Sequence, residues 1–219
     1  MVSNQRYGCR GCGNYAAACY CCENANDNAR NRCGSVGPIR AIDRECIPPS
    51  SRRGSIIPYA SGIVPVALTS LAGGLVGIPF YIGFGTAVPG VILADNTIDL
   101  TGLVNEAFTV PRNGSITAIS ATFTLTVALA VFGGGSVNAQ IYRAPAGSNI
   151  FSPTGVSVNL TPALTGPLAI GATLSGSSAP FAPVPVTTGD RLLMVFSLLG
   201  TTIVTVVTGT ASAGITIAE

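Results

Sequence analysis

Cysteine is the residue type in this chain whose spacing most invites chemistry. Seven occur, Cys9, Cys12, Cys19, Cys21, Cys22, Cys33 and Cys46, and none follows. Cys9 and Cys12 form a Cys-x-x-Cys pair, and Cys19 with Cys21 or Cys22 would complete the four thiolates of a structural zinc site. The second pair lacks the two-residue spacer, and the loop between the pairs is only six residues. The metal reading is therefore the weaker one, and neither a metal nor another cofactor is expected. Disulfides within the segment would staple it into a small knot; disulfides between chains would make it a covalent connector. Seven is odd, so at least one thiol per chain is left over. Adjacent Cys21 and Cys22 do not bond each other without strain. Inter-chain bridges are favoured, with all seven cysteines as candidates.

Other reactive constellations are missing. The chain has no histidine, no lysine and no tryptophan. That removes the usual general base near neutral pH, the Cys–His and Ser–His nucleophile pairs and Schiff-base chemistry. No catalytic residue is assigned, and an enzyme is not expected. Asp95, Asp99 and Glu106 invite a carboxylate-pair or calcium reading, but without a partner motif they read as turn and edge residues. Asp190-Arg191 reads as a turn before a strand, with pairing across a subunit contact as the rival. Asn113-Gly114-Ser115 and Asn159-Leu160-Thr161 match glycan acceptors, but the opening residues have no apolar core, so no signal peptide is expected and the sequons carry little weight.

The composition breaks sharply at Arg53. Residues 1–53 hold eight arginines and four acids, a balance of +4; the rest holds three arginines and five acids, a balance of −2. The chain thus reads as a Cys-rich extended arm, 1–53, and a body, 54–219. Residues 46–55 read as a linker: Ile47, Pro48 and Pro49 mark an extended, stiff part, and Ser50 to Ser55 are loop-like. The arm lacks the aromatic and lysine pattern of a nucleic-acid binder, so no nucleic acid is expected. Two stretches, 54–94 and 192–218, are free of charge and long enough to span a bilayer. The first is broken by Pro58, Pro65, Pro79 and Pro89 and the second alternates like a strand, so no membrane span is expected.

The body reads as β. In 115–127, Ile119, Ala121, Phe123, Leu125 and Val127 fall on one face, and Ser120, Thr122, Thr124 and Thr126 on the other. The last strand repeats this, with Ala211, Ala213, Ile215 and Ile217 against Thr210, Ser212, Gly214 and Thr216. Residues 136–144 and 190–199 are further strands. Asn113-Gly114 predicts a tight hairpin turn, and 132–136 and 187–190 also read as turns. The one helical candidate is 66–75. Many short strands with frequent turns predict an antiparallel sandwich, a jelly roll. The outward residues are Thr, Ser, Ala and Gly rather than Lys and Glu, which suits burial in an assembly, since a hydroxyl needs one partner and an ammonium is costly to bury.

Body segments in order resemble the C-terminal domain of the Bcl-type collagen-like exosporium glycoproteins of spore-forming bacteria. They are IIPYASG (56–62), IGFG (82–85), TIDLTG (97–102), AFTVPRNGSIT (107–117), AQIYRAP (139–145), ALTGPLAIG (163–171), GDRLLMVFS (189–197) and ASAGITIA (211–218). The resemblance implies an all-β jelly roll like that of tumour-necrosis-factor and complement proteins, assembled as a homotrimer, with a structural role on the spore surface. In such a trimer the residues read above as turn and edge positions, Asp95, Asp99 and Glu106, would be trimer-edge residues. The family's long Gly-X-Y run is absent here, and the cysteine arm stands in its place.

The expectation is a self-assembling structural subunit of the spore surface, exosporium or appendage, made in the mother-cell cytoplasm. Its partners would be itself, as trimer and then filament or lattice, and a basal spore-layer protein. The arm would dock as a strand on a neighbour's sheet edge and be locked by disulfides. The alternative is a discrete trimeric binding module for a glycan or receptor, tethered by its arm. Threonine faces can also bind ice, but the Thr rows show no fixed multi-strand repeat in the sequence.

Overall fold

The computed structural model describes residues 54–71, 77–93, 95–102, 105–127, 134–178, 181–200 and 205–218. The arm, 1–53, lies outside the described residues, and with it all seven cysteines and the linker residues Ile47, Pro48 and Pro49.

Thirteen strands follow in chain order: β1 (Ser55–Ala60), β2 (Val66–Ser70), β3 (Phe80–Ile82), β4 (Ala87–Pro89), β5 (Ile98–Asp99), β6 (Phe108–Thr109), β7 (Gly114–Leu125), β8 (Ser136–Ala144), β9 (Ile150–Asn159), β10 (Thr173–Ser178), β11 (Val184–Val186), β12 (Arg191–Leu199) and β13 (Thr205–Ala218). No helix occurs among the described residues. All strand pairs are antiparallel, in two sheets. The first has the order β1-β13-β7-β10, with β2 beside β13 and β11 beside β7. The second has the order β4-β3-β12-β8-β9-β5, with β6 beside β12.

The pairing order defines the fold. Take the eight principal strands as β1, β3, β7, β8, β9, β10, β12 and β13. The first pairs with the last, the second with the seventh, the third with the sixth and the fourth with the fifth. That nesting is a long hairpin wrapped into two sheets, a jelly roll.

Alternation drives the packing. Ile116, Ile119, Ala121, Phe123 and Leu125 of β7 point inward, as do Val207, Ala211, Ile215 and Ile217 of β13. They meet Val137, Ala139 and Ile141 of β8 and Leu192, Met194, Phe196 and Leu198 of β12 from the other sheet. Phe123 and Phe196 face each other across the sandwich, with ring centroids 6.5 Å apart. Gly209 of β13 lies against Phe123, and an added Cβ would strike that ring and the carbonyl of Thr124.

Three local expectations are corrected. Residues 72–75 of the 66–75 helical candidate lie outside the described residues, and its described part is a strand, β2 (Val66–Ser70). Its alternation of buried Val66, Leu68 and Ser70 with half-buried Ala67 and Thr69 fits the side of β13, and tertiary pairing overrides local propensity. Pro111–Gly114 is not a hairpin. It joins β6 in the second sheet to β7 in the first. Asn113 instead uses its side chain, whose Oδ1 accepts the Thr188 amide at 2.8 Å and the Thr188 hydroxyl at 3.1 Å. Val127 is 56% exposed because β7 ends at Leu125, so it does not continue the inward row.

Candidate assembly face

The two outer faces of the sandwich are treated differently by the chain. On the second sheet, Tyr81, Tyr142, Ala144, Phe151, Leu193 and Val195 point away from the main core, yet all are buried. The segment between β4 and β6 covers them, with Ile98 and Leu100 buried and Val88, Ile92 and Ala107 packed alongside. Two tyrosines pin this cover. The Tyr81 hydroxyl donates to the Val91 carbonyl at 2.7 Å and accepts the Val91 amide at 2.9 Å. The Tyr142 hydroxyl donates to Asn96 Oδ1 at 3.1 Å, and Asn96 sits at φ 63°, a left-handed conformation that Asn tolerates. Burial pushes both phenols up, and in Tyr142 the neighbouring Tyr81 adds to the effect.

The first sheet has no such cover among the described residues. Its outer face is a grid read off the strand register. Thr173, Thr124 and Thr210 make one row across β10, β7 and β13. Ser175, Thr122, Ser212 and Ala60 make the next, and Ser177, Ser120, Gly214 and Pro58 the third. Residues directly opposite across strands share a face, and the strands lie about 4.8 Å apart. Only the first row is threonine throughout, so hydroxyls line up across strands without a fixed threonine repeat. None of these residues is charged. Next to the third row stands Ile56, opposite Thr216 and 73% exposed. The face is hydroxyl-rich and neutral.

The charged residues of the body do structural work elsewhere. Asp95 Oδ1 accepts the Thr97 hydroxyl at 2.7 Å and the Thr97 amide at 3.1 Å. Asp99 Oδ1 accepts the Thr101 amide at 2.8 Å. Hydrogen bonds from these threonines hold both carboxyls below the usual carboxylate range. Asp95 is a turn residue, as expected, whereas Asp99 closes β5 and its carboxylate caps the turn that follows. Glu106 departs from the turn-and-edge reading: it is buried, and its carboxylate accepts the Thr86 hydroxyl at 2.6 Å beside Gly83. An added Cβ on Gly83 would strike that carboxylate, so the glycine is what makes room for it. The described residues hold no group of three or more His, Cys, Asp or Glu placed to bind a metal ion.

Asp190 is 2% exposed and ion-paired to Arg143 Nε at 2.9 Å, while its Oδ2 accepts the Thr187 amide at 2.7 Å. It closes the 187–190 turn, where Gly189 takes φ 89°. Arg191 lies over the Phe151 ring at 5.2 Å and donates to Asn105 Oδ1 at 2.7 Å. Of the two sequons, Asn113 is bound to Thr188, and Asn159 Oδ1 accepts the buried Asn138 amide at 2.8 Å. No described helix is long and apolar enough to cross a membrane.

Sequence reading missed the self-cover and its tyrosine pins. The contacts that create them join residues 10 and 46 positions apart, and no local period signals them. The sequence signal for the naked face was plain: threonine and serine opposite the apolar row in β7 and β13.

The fold class is an all-β antiparallel jelly-roll sandwich. No protein-family model matches the chain. The chain is 34% identical over 152 residues to Collagen-like protein 1 of Acanthamoeba polyphaga mimivirus, a match covering 64% of this chain and 16% of that protein. It therefore spans under one-fifth of that relative's length. Among solved structures, Eiger TNF from S. frugiperda aligns over 77% of this chain and 95% of its own, at TM-score 0.33 and 11% identity. The strand pairing order, not that likeness, defines the fold.

Proposed function

We propose that the chain is a structural, self-assembling subunit whose body associates as a homotrimer through the outer face of the first sheet. The observation that carries this reading is the contrast between the two outer faces. One is sealed by the chain's own segment, and the other is a neutral hydroxyl grid four strands wide. Thr, Ser, Ala and Gly let a second backbone approach closely, and no charge has to be desolvated. A collagen-like relative and a jelly-roll body both suit a structural module rather than an enzyme. Three is also the number of chains that a collagen triple helix brings together.

The arm extends the proposal. Its seven thiols link trimers to one another, or to a basal layer protein, through inter-chain disulfides, and its extended chain adds as a strand to a neighbour's sheet edge. The bacterial endospore surface is the proposed site, on the strength of the exosporium resemblance. The test is electrophoresis and negative-stain microscopy of the full chain with and without reductant. Higher multimers that collapse on reduction to one smaller assembly support the reading. Isolated particles of one size, unchanged by reductant, remove the linking role.

The aligned hydroxyl rows favour one second reading, a binding face for a glycan or ordered water. A glycan array and an ice-recrystallisation assay decide it: a hit abolished by Thr122→Glu would require the face to be free, and no hit leaves this reading without support.

A further inference from the structure

The first sheet has one long open edge among the described residues. Hydrogen bonds occupy the others. Beside β10, the Thr161 amide donates to the Ser175 carbonyl and the Ser175 amide to the Thr161 carbonyl. Beside β2, the Thr69 amide donates to Ile78 and the Gly77 amide to Thr69. At β11, Arg143 Nη1 donates to the Pro185 carbonyl at 3.0 Å. That leaves β1, which pairs with β13 on one side only.

The bonds at the end of β1 show which of its backbone groups face outward. The Ala60 amide donates to the Gly83 carbonyl, and the Ala60 carbonyl accepts the Gly85 amide, both away from β13. The next amide, of Ser61, donates to Ala211 of β13. Backbone groups alternate sides along a strand, so Pro58 and Ile56 face outward with Ala60. Pro58 has no N–H to leave unpaired, and an outward position is where an edge strand admits proline. The Ile56 amide, the Ile56 carbonyl and the Pro58 carbonyl remain, with no backbone partner among the described residues. Ile56 is 73% exposed, and the whole strand is uncharged.

We infer that this edge pairs with the same edge of a second copy, β1 antiparallel to β1 about a two-fold axis at Ile56. The pattern is its own complement. Each Ile56 amide donates to the Ile56 carbonyl of the other copy, and each Gly54 amide to the other copy's Pro58 carbonyl. The N–H that Pro58 lacks falls opposite the Gly54 carbonyl, at the end of the ladder, where water takes its place. Gly54, with no side chain, leaves room for the Pro58 ring opposite. The two Ile56 side chains, otherwise in water, meet across the junction as a directly opposed β-branched pair. Any extended strand offers main-chain groups; one register that sets Gly54 on Pro58 and Ile56 on Ile56 selects a copy of this chain. Such an isologous contact closes at two copies, whereas an edge with a full row of donors invites open-ended addition. The contact uses main-chain groups at the rim of the sheet and does not rest on the trimer proposed for its face.

The experiment is sedimentation equilibrium of the full chain in reductant, over a concentration series, with hydrogen exchange read at the Ile56 amide. Ile56→Pro removes the outward N–H at a position of the kind Pro58 already fills, and Ile56→Val, which keeps it, is the control. Wild type and control should show a species twice the mass of the Ile56→Pro unit. The proline should weaken the doubling step roughly 30-fold, because each contact loses both of its central amide donors. The wild-type Ile56 amide should exchange slowly at high concentration and fast on dilution. Circular dichroism checks that Ile56→Pro is folded; if it is not, Ile56→Asp, which sets like charges opposite each other, takes its place. Absence of doubling in wild type, doubling undiminished in the variant, or an Ile56 amide equally protected at every concentration, as it would be with the arm lying on this edge, would each overturn the inference. The readout is a factor of two on whatever smaller unit exists, so its failure is distinct from failure of the trimer.

Discussion

Tyrosine ionisation sets the alkaline limit of the body. Tyr59 is buried with a hydroxyl that has no hydrogen-bond partner, and burial raises its pKa well above the ordinary value. Burial raises those of Tyr81 and Tyr142 too. A phenol whose folded pKa is raised contributes stability in full below about pH 10, and loses it as pH rises further. Asp95 and Asp99 have lowered folded pKa values, so their small contribution holds above about pH 4 and is lost as pH falls. The chain has no histidine or lysine to titrate between. Thermal denaturation of thiol-alkylated protein should therefore give a melting temperature nearly flat from about pH 5 to pH 9, falling beyond pH 10. A marked slope near pH 6.5 would contradict this. Arg143→Met should destabilise by about 2 kcal/mol in denaturant melts, because it strips the buried Asp190 of its ion pair while leaving the Thr187 amide on it.

Strands carry the next scale. Phe123→Ala in β7 opens a void against Phe196 of β12 and should cost about 3–5 kcal/mol. Thr122→Glu on the opposite side of the same strand should leave the monomer's stability within about 1 kcal/mol and abolish self-association, which separates folding from assembly. Much of this was legible in the sequence. The period of two in β7 and β13 named the inward residues and, by default, the hydroxyl face, and 136–144 matched β8. What stayed hidden had a physical reason. Residues 66–70 became β2 through pairing with β13, more than 130 positions away. Asn113-Gly114 signalled a hairpin turn, but the chain crosses between sheets there instead. Glu106 gave no sign of burial, because the cavity is made by Gly83, on a distant strand end.

At the scale of the molecule, the sequence divides basic arm from neutral body. Eight of the eleven arginines precede Gly54. Two of the remaining three lie within strands, where a protease cannot extend the backbone into its cleft. Limited trypsin digestion should strip the arm and leave the body from Gly54 onward, with the exposed Arg112 in the link before β7 as its one further accessible site among the described residues. Mass spectrometry reads the outcome, and cleavage after Arg143 or Arg191 at the same rate as in the arm would count against a folded body there.

The central claim is that the naked sheet face joins three copies. Native mass spectrometry of the reduced protein tests it most directly. The account predicts a mass three times the 22.0 kDa chain, or a multiple of that, for wild type, and a single chain for Thr122→Glu. A wild-type protein that remains a monomer, or an assembly that Thr122→Glu leaves intact, would contradict it.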